Sequence, residues 1–429
     1  MRIASRYRFC LPVLAVAGML SAAGSAAAQQ PDWWQRAGLM RSKYYNIKTD
    51  LPPNEAEDLA RHMDITCDAY IQMFAGLRVW QRSRLDLYLF ADNSDYMRTL
   101  RTAFNVDGTG SWGMCISRDA STSIVGWRGD RPVHAMKTLL QHEGFHQFSR
   151  TLFPELPVWA EEGLAEIFER GVVVADALVL GEVPSRDRSQ VVDAIENGKF
   201  RTCAALFTMR SEDWLSEVKS GDASGNYLQA WSLVHFFLYA DDARYQRQFL
   251  TFLANLNRGA QWEPSFVAAF GMPDFRVMEQ KWLDYCRQWS PTDYRETISR
   301  LEFLAMGLEA LRERGEFPSS IDALKKQLSA IDFAHSSSLH GESREMKASD
   351  SRLFEVPYAN SGQSSARFTL VDQRGRELKN QDDARKEASE SRRAPPFPMI
   401  VTAGLEPRNL LAKWVRVNRG KYQCVFAAE

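Results

Sequence analysis

One short segment of the sequence has the residue types and spacing of a metal site, the pentapeptide HEGFH at positions 142–146. On a helix, residues four positions apart share a face, so the imidazoles of His142 and His146 would point the same way with Glu143 beside them. Two imidazoles at this spacing are typical zinc ligands, and the adjacent carboxylate is typical of a general base. We therefore predict that His142 and His146 bind one Zn²⁺ per chain and that Glu143 is catalytic.

A catalytic zinc needs a third protein ligand and an open position for water. The longer motif that ends in a third histidine is absent, because Ser149 and Leu152 occupy its glycine and histidine positions. Downstream, a proline turn at Pro154 and Pro157 is expected to return the chain antiparallel to the first helix. The following segment offers four carboxylates, those of Glu161, Glu162, Glu166 and Glu169. The residues alone leave the choice among them open.

Regular elements surround these residues. Apolar side chains recur at helical spacing from Asp130 to about Leu152 and again from Pro157 to Glu169, so both halves of the site are predicted to lie on helices. The runs Trp112 to Ser117 and Thr122 to Trp127 predict a hairpin just before the motif, and Leu85 to Phe90 predicts a further strand. Further helices are predicted at 55–77, 189–196, 227–239, 244–256, 264–270 and 275–289.

The pattern changes beyond Pro291. A helix is predicted from Tyr294 to Arg314, followed by two polar stretches, 335–352 and 374–393, that we expect to be mobile. Short strand-like runs lie between and after them, at 367–372, 398–402, 414–417 and 422–426. We therefore expect a signal peptide over residues 1–28, a domain over 29–290, and a C-terminal region of β character over 291–429.

The start of the chain has the pattern of a secretory signal. Three arginines precede an apolar run from Phe9 to Leu20, and Ala26 to Ala28 then supply the small residues that signal peptidase prefers. No later segment is long and apolar enough to cross a bilayer. We expect an exported protein, periplasmic or secreted, with no transmembrane segment after the signal is removed.

Charge and cysteine content exclude other classes. The chain has 53 basic and 54 acidic residues, and this balance argues against nucleic acid as a partner. The cysteines beyond residue 28 are odd in number and contain no C-x-x-C pair, which argues against a disulfide framework and a cysteine zinc site. Their pairing and the oligomeric state stay open. These cysteines are Cys67, Cys115, Cys203, Cys286 and Cys424.

The stretch from about Leu85 to Trp289 resembles the DUF1570 family, within the peptidase MA-like, or gluzincin, superfamily. The resemblance is carried by TLLQHEGFHQF at 138–148, LPVWAEEGLAEIFE at 156–169 and YLQAWSLVHF at 227–236. It implies an α+β, zincin-like metallopeptidase fold with a small mixed sheet and a helical bundle. It also implies that the third zinc ligand is the glutamate directly before Gly-x-Ala, Glu162, and that Glu161 is its exposed neighbour.

The same resemblance suggests supporting roles. Glu166 lies one turn after Glu162, where gluzincins place a carboxylate that hydrogen-bonds a zinc-bound histidine, although a solvated glutamate fits the position equally well. Glu169 is expected at the surface. Tyr227 is the candidate donor to the oxyanion, and His235 shares its helix face. Backbone near Ser123 to Trp127 is expected to face substrate, unless the hairpin is fully paired inside the sheet.

Motif and resemblance together predict an exported zinc-dependent metallopeptidase of the gluzincin type, acting on a peptide or protein. Zinc would lower the pKa of its water toward about 7 while Glu143 takes the proton and returns it to the leaving nitrogen. One alternative is an inactive zinc-binding or scaffold protein on the same fold, although such a protein would not need Glu143. The other is a zinc hydrolase of cell-wall peptides, with the same ligands and base.

Overall fold

The computed structural model describes residues 32–78, 83–118, 121–271, 275–337, 343–358, 366–388, 397–418 and 421–428. The expected signal peptide, residues 1–28, lies outside them. Among the helices of the described residues, none is both long and apolar enough to span a bilayer. The α+β class with small sheets is confirmed.

The chain divides into two compact units. Among the described residues, one unit contains those within Met1–Gly171 and Val191–Cys286, and the other contains those within Val172–Gln190 and Arg287–Glu429. The expected domain over residues 29–290 included the segment 172–190, which the structure assigns to the second unit. The physical reason is that Val172, Val174 and Val179 belong to the hydrophobic core of that unit.

A five-stranded mixed sheet lies in the first unit, in the order β1-β2-β3-β5-β4. Strands β2, β3 and β5 are parallel, while β1 and β4 pair antiparallel at the two edges. The strands are β1 (Gly38–Arg41), β2 (Tyr45–Thr49), β3 (Leu85–Phe90), β4 (Gly113–Arg118) and β5 (Ser121–Trp127). The predicted strand and hairpin are therefore present, whereas β1 and β2 were not predicted.

The edge of the sheet is formed by the other strand of the hairpin, not by the one that was expected to face substrate. Strand β5 pairs with β3 on one side and with β4 on the other, so Ser123 to Trp127 are not at an open edge. The expectation that this segment faces substrate is wrong, because parallel pairing with β3 uses its outer side. The edge strand of the hairpin is β4.

Helices make up the rest of the first unit. Predicted helices are present at the sequence motif and downstream of it, with ends shifted by a few residues. The helices are α1 (Asp32–Arg36), α2 (Pro53–Met73), α3 (Asn93–Thr99), α4 (Val133–Ser149), α5 (Val158–Glu169), α6 (Ser185–Glu196, which begins in the second unit), α7 (Cys203–Phe207), α8 (Ser211–Ser220), α9 (Ser224–Ala243, with non-helical backbone from Ala240), α10 (Gln246–Asn257), α11 (Trp262–Phe270) and α12 (Phe275–Arg287).

Two glycines allow the helices around the motif to pack closely. A Cβ atom at Gly144 of α4 would lie 2.8 Å from Met63 Cε and 2.9 Å from Tyr70 Oη of α2. A Cβ atom at Gly163 of α5 would lie 2.6 Å from the carbonyl oxygen of Ala230 on α9. Helix α5 thus packs on the backbone of α9 at a distance that only glycine permits, and α4 packs at Gly144 against side chains of α2.

The second unit has its own core. Helices α13 (Tyr294–Glu313) and α14 (Ile321–Ala330) bury apolar residues together with a four-stranded antiparallel sheet in the order β10-β11-β12-β13. Strands are present in all four predicted runs. The remaining elements are β6 (Val172–Val174), β7 (Ala177–Val179), β8 (Ala334–Ser337), β9 (Arg344–Lys347), β10 (Arg367–Val371), α15 (Gln381–Ala388), β11 (Met399–Ala403), β12 (Leu410–Asn418) and β13 (Lys421–Ala428).

The two polar stretches expected to be mobile are folded wherever the structure describes them. Strands β8 and β9 pair as an antiparallel hairpin within the first stretch, and α15 lies in the second. Met346 and Ala384 are each 2 % exposed and belong to the core of the second unit. Two core residues in each stretch, Met346 and Ala348 in the first and Leu378 and Ala384 in the second, thus anchor segments whose average composition is polar.

Candidate metal centre

Three predicted ligands meet between α4 and α5. His142 Nε2 lies 3.1 Å from His146 Nε2, and Glu162 Oε2 lies 3.5 Å from each of these nitrogens. Ligand atoms at tetrahedral angles and about 2.0–2.1 Å from a zinc ion would be about 3.3 Å apart. The three side chains therefore fit three corners of a tetrahedral metal site. Glu162 Oε2 is buried and has no hydrogen-bond partner among the described residues, as expected for an atom reserved for a metal.

The local structure explains this convergence. Four residues separate the histidines, so α4 presents both imidazoles on one face. Pro132 and Pro157 precede α4 and α5 with extended backbone, which proline favours directly before a helix. All of α4 from Gln141 to Ser149 is buried. Burial on every side holds the two imidazoles against α5.

Residues 137–260 match the DUF1570 family model. Its description is "Protein of unknown function". A comparison with curated proteins found no match. The DUF1570 segment includes α5, α9 and all of α4 from Lys137 onward, and therefore all three predicted ligands, Glu143 and Tyr227. The five-stranded sheet lies outside it.

Each of the two predicted histidine ligands has its second ring nitrogen next to a carboxylate. His142 Nδ1 hydrogen-bonds Glu169 Oε2 at 2.8 Å, and His146 Nδ1 lies 3.4 Å from Glu161 Oε1. Glu161 also accepts a hydrogen bond from Ser149 Oγ at 3.1 Å. A carboxylate at Nδ1 favours the tautomer that leaves Nε2 as a metal ligand. Both Nε2 atoms lie on the side of Glu162.

Two expectations about these carboxylates are wrong. Glu161 was expected to be exposed but is buried, because it faces His146 and the end of α4. Glu169 was expected at the surface, and its side chain is 28 % exposed, but it makes the hydrogen bond to a predicted histidine ligand that was expected of Glu166. Residues four and seven positions after Glu162 lie on the same helix face, and the antiparallel packing of α4 brings the farther one to Nδ1 of His142.

Glu166 pairs with a cation instead. Its Oε1 is 3.7 Å from His142 Nδ1, beyond hydrogen-bond distance, while its Oε2 accepts a hydrogen bond from Arg170 one turn later. Burial raises the pKa of Glu166 to about 7 despite this pair. The Arg170 guanidinium also stacks on Trp231 of α9, 4.3 Å from the ring centroid. Glu166 therefore binds Arg170 at the end of α5, and Arg170 in turn contacts α9 through Trp231.

The charges of the site compensate one another. Burial alone would raise the pKa of Glu162, but electrostatic interactions with the neighbouring His146 and His142 lower it to about 2. Burial alone would lower the pKa of His146, but Glu162 and Glu161 raise it to about 9. Glu162 is thus an anion in a place that attracts positive charge. Protons and a metal cation compete for that place.

Glu143 lies beside the ligands, and its carboxylate is anchored on one side. Its Oε2 accepts a hydrogen bond of 2.8 Å from the main-chain N–H of Cys115, on the edge strand β4. Its Oε1 is buried and has no hydrogen-bond partner among the described residues. Burial raises the pKa of Glu143, and the charges of His142 and His146 oppose this. No pattern of residues in the sequence indicated the contact with Cys115.

The two aromatic candidates on α9 lie in different places. The Tyr227 ring is 6.4 Å from the His142 ring, centroid to centroid, and packs edge-on against Trp214 at 5.1 Å. His235 contacts the rings of Trp231 and Tyr239, and its Nδ1 is 2.9 Å from Tyr285 Oη. The structure therefore brings Tyr227 next to a predicted ligand.

Gln141 is a further residue of the site that sequence reasoning missed. Its amide oxygen lies 2.9 Å from His62 Nε2 on α2, and its amide nitrogen donates to the carbonyl oxygens of Phe168 and Gly171. These bonds tie α4 to the end of α5, next to Glu169. Its position directly before the motif was the available signal.

The five cysteines whose pairing the sequence left open are free thiols, and four are buried. Cys115 is the one that lies at the site.

Proposed function

We propose that this protein is an exported, zinc-dependent metallopeptidase of the gluzincin type that hydrolyses peptide bonds. The proposal rests on one observation, the triangle of His142 Nε2, His146 Nε2 and Glu162 Oε2 beside the carboxylate of Glu143. Two imidazoles and one carboxylate form a common ligand set of catalytic zinc, and three protein ligands leave a position for water. Hard cations such as Mg²⁺ prefer oxygen ligands alone.

The side chains supply the acid–base steps. When bound, zinc acidifies a water molecule and polarises the scissile carbonyl. Glu143 Oε1 is the oxygen left to accept the proton of the attacking water, since Oε2 is held by Cys115. The protonated Glu143 then donates that proton to the leaving nitrogen. Tyr227, next to His142, is the candidate donor to the oxyanion.

Strand β4 offers a place for an extended peptide. It forms one edge of the sheet, and an unpaired edge can hydrogen-bond a peptide backbone. Trp127 N–H donates to the Trp112 carbonyl, so Gly113, Cys115 and Ser117 direct their main-chain groups to the open side. An amide substrate lying along this edge would pass the carboxylate of Glu143.

A second candidate function is zinc binding without turnover. The burial of the site favours it, because His142, Glu143, His146 and Glu162 are at most 4 % exposed. A structural zinc is closed, whereas a catalytic zinc exchanges its water for substrate. Glu143 argues for catalysis, because a buried carboxylate that binds no metal is costly unless it has a use.

Metal content is the first test. We expect the purified mature protein to contain about one zinc per chain by mass spectrometry, and Glu162→Ala to lose it. Glu155→Ala, which removes an exposed glutamate just before α5, is the matched control and keeps its zinc. A wild type that takes up no zinc at neutral pH contradicts both functions.

Two further measurements distinguish the peptidase from a zinc-binding protein without turnover. A peptidase cleaves members of a peptide library, and Glu143→Gln abolishes cleavage while keeping its zinc. In the cobalt-substituted protein, a hydroxamate changes the visible spectrum if the fourth position is open. An unchanged spectrum together with no cleavage identifies the non-catalytic zinc protein.

A further inference from the structure

The edge strand β4 presents alternate main-chain groups in opposite directions. The hydrogen bond from Trp127 N–H to the Trp112 carbonyl, 3.0 Å long, fixes which residues face β5. In an antiparallel pair such residues alternate, so Met114 and Ile116 also face β5 while Cys115 faces outward. The N–H of Cys115 is therefore free of the sheet ladder.

This N–H has a specific partner. It donates to Glu143 Oε2 at 2.8 Å, and both residues are buried, with Glu143 fully so. Among the described residues, no other group donates a hydrogen bond to this carboxylate. A hydrogen bond to a carboxylate shielded from water is stronger than one between neutral groups. Strand β4 thus fixes the orientation of a side chain on α4.

We propose that the main-chain N–H of Cys115 positions the general base. It holds Glu143 Oε2, so that Oε1 is the oxygen that takes the proton from water. This assignment rests on the proposed function for the role of Glu143. It makes Cys115 a positioning residue through its backbone, and the thiol has no part in it.

The anchor also restricts how a peptide pairs with β4. The Cys115 N–H is occupied, so an extended substrate has only the outward groups of Gly113 and Ser117 and the carbonyl of Cys115 to pair with. The edge therefore performs two tasks along one strand. One main-chain donor orients the base, and its neighbours remain for the substrate.

A nuclear magnetic resonance experiment tests the anchor without metal or turnover. Metal-free protein labelled with ¹⁵N-cysteine shows few amide signals, and that of Cys115 is the one missing in Cys115→Ala. We expect its proton far downfield, because it donates to a carboxylate, and we expect Glu143→Gln to move it upfield. A Cys115 amide signal that Glu143→Gln leaves in place overturns the proposal.

Paired variants test the consequence for catalysis. Cys115→Pro removes the N–H at an outward position of an edge strand, where proline is tolerated, and Cys115→Ala removes the thiol alone. With zinc content equal in both, we expect kcat to be about tenfold or more lower in Cys115→Pro than in Cys115→Ala, with KM little changed. Equal kcat values in two folded, zinc-loaded variants overturn the proposal.

The two proposals fail in different ways. A Cys115 amide that responds to Glu143→Gln in a protein that cleaves no peptide supports the anchor and contradicts the peptidase. Cleavage that depends on Glu143 while the amide does not respond supports the peptidase and overturns the anchor. Should Cys115→Pro not fold, the labelled wild type and Glu143→Gln still decide.

Discussion

Two carboxylates of α5 lie at the Nδ1 atoms of the two α4 imidazoles, whose Nε2 atoms face Glu162. Glu169 accepts from Nδ1 of His142, and Glu161 lies at Nδ1 of His146. Such partners fix the tautomer of a histidine and raise its basicity as a ligand. We therefore expect the zinc affinity of the proposed site to depend on side chains that do not touch the metal.

The contrast between Glu169 and Glu166 gives a prediction at this scale. Glu169→Gln is expected to weaken zinc binding about 10–100-fold, because the amide cannot match the charged acceptor at His142 Nδ1. Glu166→Gln is the matched control on the same helix and should weaken it less, since Glu166 binds Arg170. Titration against a competing chelator measures both. An equal loss in the two variants would contradict the assignment to Glu169.

At the scale of elements, the site requires α5 to approach α9 closely. Gly163→Ala would bring a Cβ atom to 2.6 Å from the Ala230 carbonyl, and we expect it to lower the free energy of unfolding by about 1–3 kcal/mol. Gly225→Ala is the matched control on α9, where no atom lies within 4 Å. It should be neutral or stabilising, because alanine favours a helix. Urea unfolding of both variants decides.

His62 on α2 gives a pH-dependent prediction. Burial, and next the charge of Lys137, lower its pKa to about 4 in the folded protein, against about 6.5 when unfolded. Between these values the unfolded chain binds the extra proton, so stability is lost as pH falls from 6.5 to 4. By pH 5 the free energy of unfolding is therefore lower by about 2 kcal/mol. Urea unfolding should show a shallower pH dependence for His62→Gln, other titrations cancelling in the comparison.

The elements that carry the motif were predictable, and their mutual rotation was not. Prolines before α4 and α5 and continuous apolar spacing indicated both helices. Helical spacing put Glu166 on the face of Glu162 and left Glu169 at the surface, because only the packing of α4 decides which of the two reaches His142. Strand β2 contains just two fully buried apolar residues, Tyr45 and Ile47, too few to distinguish it from a loop.

Edge and interior strands also could not be told apart from sequence. Strands β4 and β5 both contain buried residues in succession, so their composition does not show which one pairs on both sides. Pairing of β3 with β5 is a contact between distant parts of the chain. The role of Cys115 follows from that contact and left no pattern in the sequence.

At the scale of the whole molecule, the metal site and the core of the second unit involve different residues. The predicted ligands, their carboxylate partners and Glu143 all belong to the first unit. The core of the second unit is built from α13, α14 and the sheet β10 to β13, together with the short strands β6 and β7. Zinc should therefore stabilise one unit directly.

Hydrogen exchange measures this difference along the chain. A ligand present at about 100 times its Kd stabilises the folded state by about 2.7 kcal/mol, so zinc should slow amide exchange in peptides from α4 and α5. Peptides from β10 to β13 should exchange at the same rate with and without zinc. Glu162→Ala should remove the protection of α4 and α5. Protection that spreads equally over both units would show that zinc acts on the chain as one cooperative body.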